Sequence, residues 1–579
     1  MDAWTQYRRW ADYAPLEADL KAQLAEMAGD DEAILAAFGS ELAFGTAGLR
    51  ARIGVGTARM NLYTVARATQ GLAELIVATG PEAMDRGVAI AYDNRHMSRA
   101  FAERAASALC ANGVKVYLWP ELKPTPMLSF TVRHLQCIAG IMITASHNPA
   151  AYNGYKVYWE DGGQLPPEPS ERVLGYIGQV DVLTGAKDMS LAAARAAGLL
   201  VDIDAPGSPV SGVEDAFLKN VLAQRTVTDR ALPKLKVLYA PLHGTGYIPV
   251  TRALSMAGFE AAVVPGQEIP DPDFPTAPYP NPEKVACFDK AFAYAAEHPV
   301  DLIISTDPDA DRLGVALRRA DGSFQVLNGN QIGCLLLAHI CASRQRQGNL
   351  PANAATVKSI VSTEMSRVIA EDFGVAQIDV LTGFKFIAEQ IHRFETTGEH
   401  TFIFGFEESQ GYLTGGYCRD KDAVAAALLM VEYAAVLAEQ GRTLADALEA
   451  LYEKYGYYLE RSRSFEMEGL DGMDKVARGL SALRAAPPTR FGGYEVTAVR
   501  DYQRQLRMAG QLAEPIALPP SNVLYYELDQ GGKVVVRPSG TEPTVKVYCA
   551  VKGTSQADAA ARLAALEQSA EGMILPLLK

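Results

Sequence analysis

Ser146, His147 and Asn148 stand side by side in TASHNP (144–149), directly after the apolar run CIAGIMI. A hydroxyl presented at the tip of a strand can act as a nucleophile, with the imidazole and amide shaping the turn around it. A serine hydrolase would place its nucleophile in GxSxG, which this segment lacks, so an attack by Ser146 would serve another group transfer. The same residues also suit a plain strand-end turn in which Ser and Asn bond the backbone. DPDADR (307–312) alternates Asp307, Asp309 and Asp311 behind a second apolar run. Three converging carboxylates repel one another unless a cation joins them, and hard oxygen donors suit Mg²⁺. A calcium EF-hand loop is excluded, because its sixth and twelfth positions would be Arg312 and Arg318 rather than Gly and Glu, and a strand precedes it. A solvated acidic turn, or a phosphatase loop in which Asp307 itself is phosphorylated, would also fit these six residues.

Further segments carry polar groups of complementary chemistry. RPSGTEP (537–543) gathers Arg537, Ser539, Gly540 and Thr541 after a Val-rich run. Gly lets backbone N–H groups approach an anion, hydroxyls add donors, and the guanidinium fork matches phosphate oxygens. FGTAGLR (44–50), with Thr46 and Arg50, is a weaker version of the same idea. In FGFEESQGYL (404–413), Glu407, Glu408 and Ser409 could hold sugar hydroxyls, or form a surface turn. YNGYK (152–156) and TGFKF (382–386) place Lys156 and Lys385 near glycine turns, and His243 of PLHGTG reads as structural. No GxxxxGK[ST] or complete GxGxxG occurs, so nothing points to a nucleoside triphosphate or a dinucleotide.

The elements that must hold these groups are legible as buried strands: GVAIAY (87–92), CIAGIMI (137–143), KVLYA (236–240), DLIIST (301–306) and FIFGF (402–406). They run into DNR, TASHNP, PLHGTG, DPDADR and EES, and amphipathic helices lie between them. This alternation predicts α/β architecture with largely parallel pairing and ligand groups at the carboxyl ends of strands. Val424, Leu428, Val431 and Ala435 predict one helix face, with Gly441 ending that helix and Thr443 capping the next. Past residue 455, EVTAVRDY, NVLYYEL, KVVVRP and TVKVYCAV followed by a helix near 555–570 predict an α+β domain. Boundaries fall at APGSPVSG (205–212), near 320 and near 455, giving four units over 1–205, 206–320, 321–455 and 456–579.

A chain of 579 residues exceeds one core and needs several domains. A net charge of −14 argues against a nucleic-acid binder, which needs a basic face. The seven cysteines are scattered, without a CxxC pair, and mostly lie in apolar runs, which predicts buried thiols rather than disulfides or zinc ligands. The N-terminal segment lacks an apolar signal core, and the long apolar stretch Val424–Ala438 is broken by Glu432, so a cytoplasmic chain is expected.

Taken together and in order, TASHNP…YNGYK, DPDADR, GFEES and RPSGTEP resemble the four signature loops of the α-D-phosphohexomutases, and FGTAGLR resembles their N-terminal element. The likeness runs from about residue 40 to 550 and is nearest the phosphoglucomutase and phosphopentomutase branch. It implies four domains around a central cleft, three of them similar mixed α/β sandwiches and the fourth α+β. It implies Ser146 as a phosphoserine, with Asp307, Asp309 and Asp311 holding Mg²⁺ together with an oxygen on Ser146. Glu407 and Ser409 would grip sugar hydroxyls, and Arg537, Ser539, Gly540 and Thr541 the non-reacting phosphate. Arg50, His147, Lys156, Arg312 and Lys385 would line the reacting end, with Lys156 or Lys385 carrying protons. The implied activity is interconversion of glucose 1-phosphate and glucose 6-phosphate through glucose 1,6-bisphosphate, which would also serve as activator. The alternative is a phosphopentomutase or phosphomannomutase with the same mechanism. The implied partner is a sugar phosphate alone, with no nucleic acid or membrane, on a monomer or dimer. Two positions depart from the pattern: Gln410, where relatives often carry an aromatic, and RDKDA (419–423), which often ends in Gly. Both are read as lying off the chemistry, with Gln410 beside the sugar loop.

Overall fold

The computed structural model describes residues 2–44, 48–319, 321–467, 471–539 and 543–578. Its strands form four sheets. The first holds β1 (Gly48–Arg52), β2 (Val88–Tyr92), β3 (Val116–Leu118), β4 (Ala139–Ile143), β5 (Tyr152–Trp159) and β6 (Leu200–Asp202), in the order β1-β5-β4-β2-β3-β6. The second holds β7 (Val237–Ala240), β8 (Ala261–Val263), β9 (Leu302–Thr306), β10 (Leu313–Arg318) and β11 (Phe324–Val326), in the order β11-β10-β9-β7-β8, so that it runs past residue 320. The third holds β12 (Ala354–Ser359), β13 (Ala376–Val380), β14 (Thr401–Glu407) and β15 (Gly411–Leu413), in the order β13-β12-β14-β15. The fourth holds β16 (Tyr457–Glu466), β17 (Arg490–Phe491), β18 (Tyr494–Asp501), β19 (Leu506–Ala509), β20 (Leu512–Pro515), β21 (Leu524–Leu528), β22 (Lys533–Pro538) and β23 (Thr544–Gly553), antiparallel throughout.

The parallel pairing expected from the apolar runs joins β4-β2-β3-β6, β9-β7-β8 and β13-β12-β14, and so reaches one edge of each of the first three sheets. β2, β4 and β9 are buried at every residue because helices cover both faces, which is why they read as unbroken apolar stretches. At one side of each of the first three sheets the chain turns back on itself: β4 pairs antiparallel with β5, β9 with β10 and β14 with β15. The fourth sheet repeats this with β22 and β23. The loops 144–151, 307–312 and 408–410 are therefore hairpin turns, and RPSGTEP lies between two antiparallel strands. The local sequence shows where each strand ends but not that its next neighbour is itself.

The helix Ala423–Glu439 is buried nearly all round rather than on one face, because it lies in a core shared by the first three units. Asp422 caps it, and Thr443 caps the following helix Leu444–Tyr455 as expected. Glu432, buried in its middle, accepts bonds from Arg225 Nε (2.9 Å) and from the Thr226 backbone (2.8 Å). No single helix among the described residues is long and apolar enough to cross a membrane. The helices Ala3–Ala11, Ala18–Glu26 and Asp31–Phe38 close a small core of their own on Val55, Val182 and Leu183. The third and fourth units meet through Ile360, Val361, Leu381, Tyr502, Tyr525, Val535 and Tyr548, while Lys533 Nζ reaches across to the Ser362 carbonyl (2.6 Å). All seven cysteines are buried and unbridged.

Candidate active site

The Ser146 turn starts where β4 ends. Ser146 adopts φ 51°, a left-handed conformation that residues other than glycine avoid, and is 3% exposed. Its N–H donates to Thr144 Oγ1 (2.8 Å), whose own hydroxyl donates to Asp93 Oδ2 (2.6 Å). Its hydroxyl donates to Asp307 Oδ2 (2.6 Å) and lies 3.1 Å from His147 Nδ1. Burial, then Arg312 and Arg50, hold His147 well below its ordinary value, so the ring is neutral at pH 7. Arg50, on β1, donates to Asn148 Oδ1 (3.2 Å) at the far side of the same turn.

The DPDADR turn brings its three carboxylates together: one oxygen from each of Asp307, Asp309 and Asp311 lies within 4.8 Å of the others, and all three side chains are buried. Asp307 Oδ1 accepts the N–H groups of Asp311 (3.1 Å) and Arg312 (3.0 Å), which closes the turn. Asp309 Oδ2 accepts Thr125 Oγ1 (2.8 Å) and Lys156 Nζ (2.9 Å), and Asp311 Oδ2 lies 3.0 Å from Lys421 Nζ. Asp309 Oδ1 and Asp311 Oδ1 are buried without a hydrogen-bond partner among the described residues. Burial, then the neighbouring carboxylates, push Asp307 well above the usual carboxylate range. Burial and then Asp309 push Asp311 the same way. Burial opposes the charge on Asp309 too, but Lys156 outweighs it and holds that group low. Two orphaned anionic oxygens in an all-oxygen set fit a hard divalent cation such as Mg²⁺.

The third turn is set by β14 and β15. Glu407 Oε1 accepts the N–H of Gly383 (2.7 Å), and burial followed by Glu408 raises its carboxyl to about 7. Glu408 Oε2 accepts Ser359 Oγ (3.1 Å), and Ser409 lies half-buried beside it. Gln410, in the same turn, is fully buried at φ 64°, and its side chain donates to the Pro282 carbonyl (3.2 Å). The turn rests on Gly329, the first residue of helix Gly329–Gln347, where a Cβ would lie 2.0 Å from the Glu408 carbonyl oxygen. Gly329→Ala is accordingly expected to cost about 1–3 kcal/mol by overpacking. A lowered thermal midpoint and a raised KM, with kcat less affected, would show it.

Before the fourth turn, Arg537 lies half-buried at the penultimate position of β22, and the Ser539 N–H donates to the Thr544 carbonyl (2.7 Å). Gly540 and Thr541 lie outside the described residues, as does Thr46. Tyr548, on β23, is raised by burial and then by Glu408. Arg312 pairs with Glu283 (3.0 Å) at the edge of the acidic group. Lys385 is not brought into that group: no hydrogen bond or ion pair joins them among the described residues, and burial lowers its amine. His243 is structural as expected, held by the Ile269 carbonyl (3.1 Å) and Thr276 Oγ1 (2.9 Å).

The sequence reading passed over Thr125 and dismissed the segment that contains Lys421. Lys421 lies 3.0 Å from both Asp311 and Asp420, and Asp420 accepts Tyr158 OH (2.7 Å) and Gln164 Nε2 (3.2 Å). RDKDA therefore reaches the acidic group from the third unit. The signal was there: four charged residues stand immediately before the most apolar helix of the chain, where burial forces such charges to find partners.

Comparison with known proteins agrees with this geometry over most of the chain. Family profiles for phosphoglucomutase/phosphomannomutase α/β/α domains I, II and III match residues 41–181, 215–322 and 328–455, and the profile for the C-terminal domain matches 496–568. A phosphoglucomutase of Staphylococcus aureus (strain MRSA252) is 38% identical over 541 residues, which span 91% of this chain and 93% of that protein. Among solved structures, a phosphoglucomutase/phosphomannomutase family protein from Burkholderia thailandensis is 18% identical, with a TM-score of 0.67 over 93% of this chain and 98% of that one. The N-acetylphosphoglucosamine mutase of Aspergillus fumigatus, solved with GlcNAc-6P and magnesium, is 15% identical, with a TM-score of 0.52 over 93% of this chain and 96% of that one. With four turns in the family's order, on four sheets that its domain profiles cover, this chain belongs to the phosphoglucomutase/phosphomannomutase family, the α-D-phosphohexomutases.

Proposed function

We propose that the protein is a phosphoglucomutase of the cytoplasm, interconverting glucose 1-phosphate and glucose 6-phosphate, with Ser146 as the phosphoryl carrier and glucose 1,6-bisphosphate as intermediate and activator. The observation that carries this reading is the 2.6 Å bond from Ser146 Oγ to Asp307 Oδ2, which joins the hydroxyl of one unit to the acidic turn of the next. The 38% identity to a phosphoglucomutase over most of both chains favours glucose.

Asp307, Asp309 and Asp311 would hold Mg²⁺ together with an oxygen on Ser146. When bound, the cation supplies positive charge to the transferring phosphoryl group. A sugar hydroxyl attacks the phosphoryl group on Ser146, the P–O bond to Oγ breaks, and a bisphosphate results. After that bisphosphate turns over, its other phosphoryl group returns to Ser146. Glu407, half-ionised near neutral pH, and Ser409 would bind sugar hydroxyls. Arg537, Ser539, Gly540 and Thr541 would hold whichever phosphate is not reacting. Lys156, pinned between Asp309 and Asp311, serves to neutralise the acidic turn (2.9 and 3.8 Å). Either Lys156 or Lys385 would take the proton of the attacking hydroxyl. The rival in which Asp307 is the nucleophile is disfavoured, because both of its oxygens already accept hydrogen bonds.

Side-by-side kcat/KM for glucose 1-phosphate, mannose 1-phosphate and ribose 1-phosphate, each with Mg²⁺ and its bisphosphate, tests the substrate. Glucose is expected to lead by about 10-fold or more, since losing or inverting one paired hydroxyl leaves a polar group unmatched. A lead for ribose would move the protein to the phosphopentomutases.

A further inference from the structure

Arg95 closes the DNR segment that follows β2, and its side chain is fully buried beneath the serine turn. A guanidinium has five N–H donors in a fixed plane. Here both terminal nitrogens are fully engaged, and Nε faces a carboxylate without a hydrogen bond among the described residues. Nη2 donates to the carbonyls of Ser146 and Asn148. Nη1 donates to those of Pro149 (2.9 Å) and Tyr152 (3.0 Å). Nε lies 3.2 Å from Asp93 Oδ2. The four carbonyls bracket the whole turn from Ser146 to the start of β5. Asp93 also receives the Thr144 hydroxyl, which in turn accepts the N–H of Ser146. Arg95 and Asp93 thus hold the peptide groups on both sides of the Ser146 Cα.

The second unit clamps the other side of this arginine. The Phe274 ring lies 5.0 Å from the Arg95 guanidinium carbon, Asn94 Nδ2 donates to the Asp271 carbonyl (2.9 Å), and His96 Nε2 lies 2.7 Å from Asp273 Oδ1. The loop 271–274 belongs to the same unit as the acidic turn. The serine turn is thus tied to the second unit twice: at its tip by Asp307 and at its base by Phe274.

We infer that Arg95 is a positioning residue for phosphoryl transfer: by saturating four carbonyls of the serine turn and stacking on Phe274, it imposes the left-handed backbone at Ser146 that aims Oγ at Asp307. This rests on the reading of Ser146 as phosphoryl carrier. A left-handed serine costs about 1–3 kcal/mol and persists only where surrounding bonds over-determine it. A lysine would keep the charge but offers its donors from one atom, which cannot span four carbonyls.

The test uses Arg95→Lys in the full-length enzyme with Mg²⁺ and glucose 1-phosphate, alongside wild type and Ser146→Ala. A misplaced nucleophile is expected to lower kcat about 100-fold, with KM within about threefold. Phe274→Leu, a milder variant, is expected to lower kcat by about three- to tenfold with the same KM. In Arg95→Ala, added methylguanidinium is expected to restore part of kcat. A crystal structure of Arg95→Lys is expected to show Ser146 outside the left-handed region. A folded Arg95→Lys with kcat within threefold of wild type, or activity that falls only in step with the unfolded fraction, would overturn the inference. So would a retained positive φ at Ser146, whether or not the enzyme turns over. An inactive wild type, or full activity in Ser146→Ala, would instead strike the underlying mutase reading.

Discussion

Ser146→Ala is expected to lower mutase turnover by about 10⁴-fold or more while leaving the fold in place, because the covalent route loses its only carrier. The Ser146 hydroxyl is 3% exposed and bonded within the site, and truncating it removes one donor to Asp307 without disturbing the two backbone bonds on that carboxylate's other oxygen. Thermal midpoints of the two proteins should agree within a few degrees. Assayed with glucose 1-phosphate, Mg²⁺ and bisphosphate, the variant should also fail to take up label from bisphosphate carrying ³²P. Retention of a tenth or more of wild-type turnover would rule out Ser146 as carrier and reinstate Asp307 as the nucleophile.

Asp309→Asn carries the second-largest expected effect. Asp309 Oδ1 is one of two orphaned buried oxygens in the acidic turn, while its Oδ2 already holds Lys156 and Thr125. The substitution removes one negative charge from a buried site where three carboxylates share a cation. It also leaves Lys156 without its nearest counter-charge. A loss of several kcal/mol of charge stabilisation corresponds to about 10³-fold in kcat, and the Mg²⁺ concentration for half-maximal activity should rise by at least about tenfold. Titration of Mg²⁺ against turnover measures both. An unchanged half-saturation would mean that Asp309 only braces the turn.

Particular residues show how far the sequence could be read. DPDADR was legible locally as a candidate cation site beside two alternatives, an acidic turn and a phosphatase loop, and the structure brings its carboxylate oxygens within 4.8 Å. The strands were equally plain, since β2, β4 and β9 are covered on both faces and must be apolar throughout. What stayed hidden depends on contacts between distant segments. Thr125, Lys421 and Arg95 look like ordinary polar residues until the fold sets them against Asp309, Asp311 and the serine turn. The hairpin character of the loops was hidden for the same reason, because strand partners are chosen by tertiary packing. The one-face reading of helix Ala423–Glu439 failed because periodicity marks a boundary between core and solvent, and this helix has core on nearly every side.

The position of Lys421 has a consequence for how the chain comes into being. The acidic turn of the second unit emerges from the ribosome well before the lysine that balances it, since Asp311 and Lys421 are far apart in sequence but 3.0 Å apart in the finished protein. Until the third unit has been synthesised and docked, Asp311 lacks the nearest cation that makes its burial tolerable. The nascent second unit can close the backbone of that turn through Asp307, but only Lys156 and Arg312, each 3.8 Å away, then offset Asp311. A chain released before residue 421 is expected to hold its second unit less stably than the full-length protein.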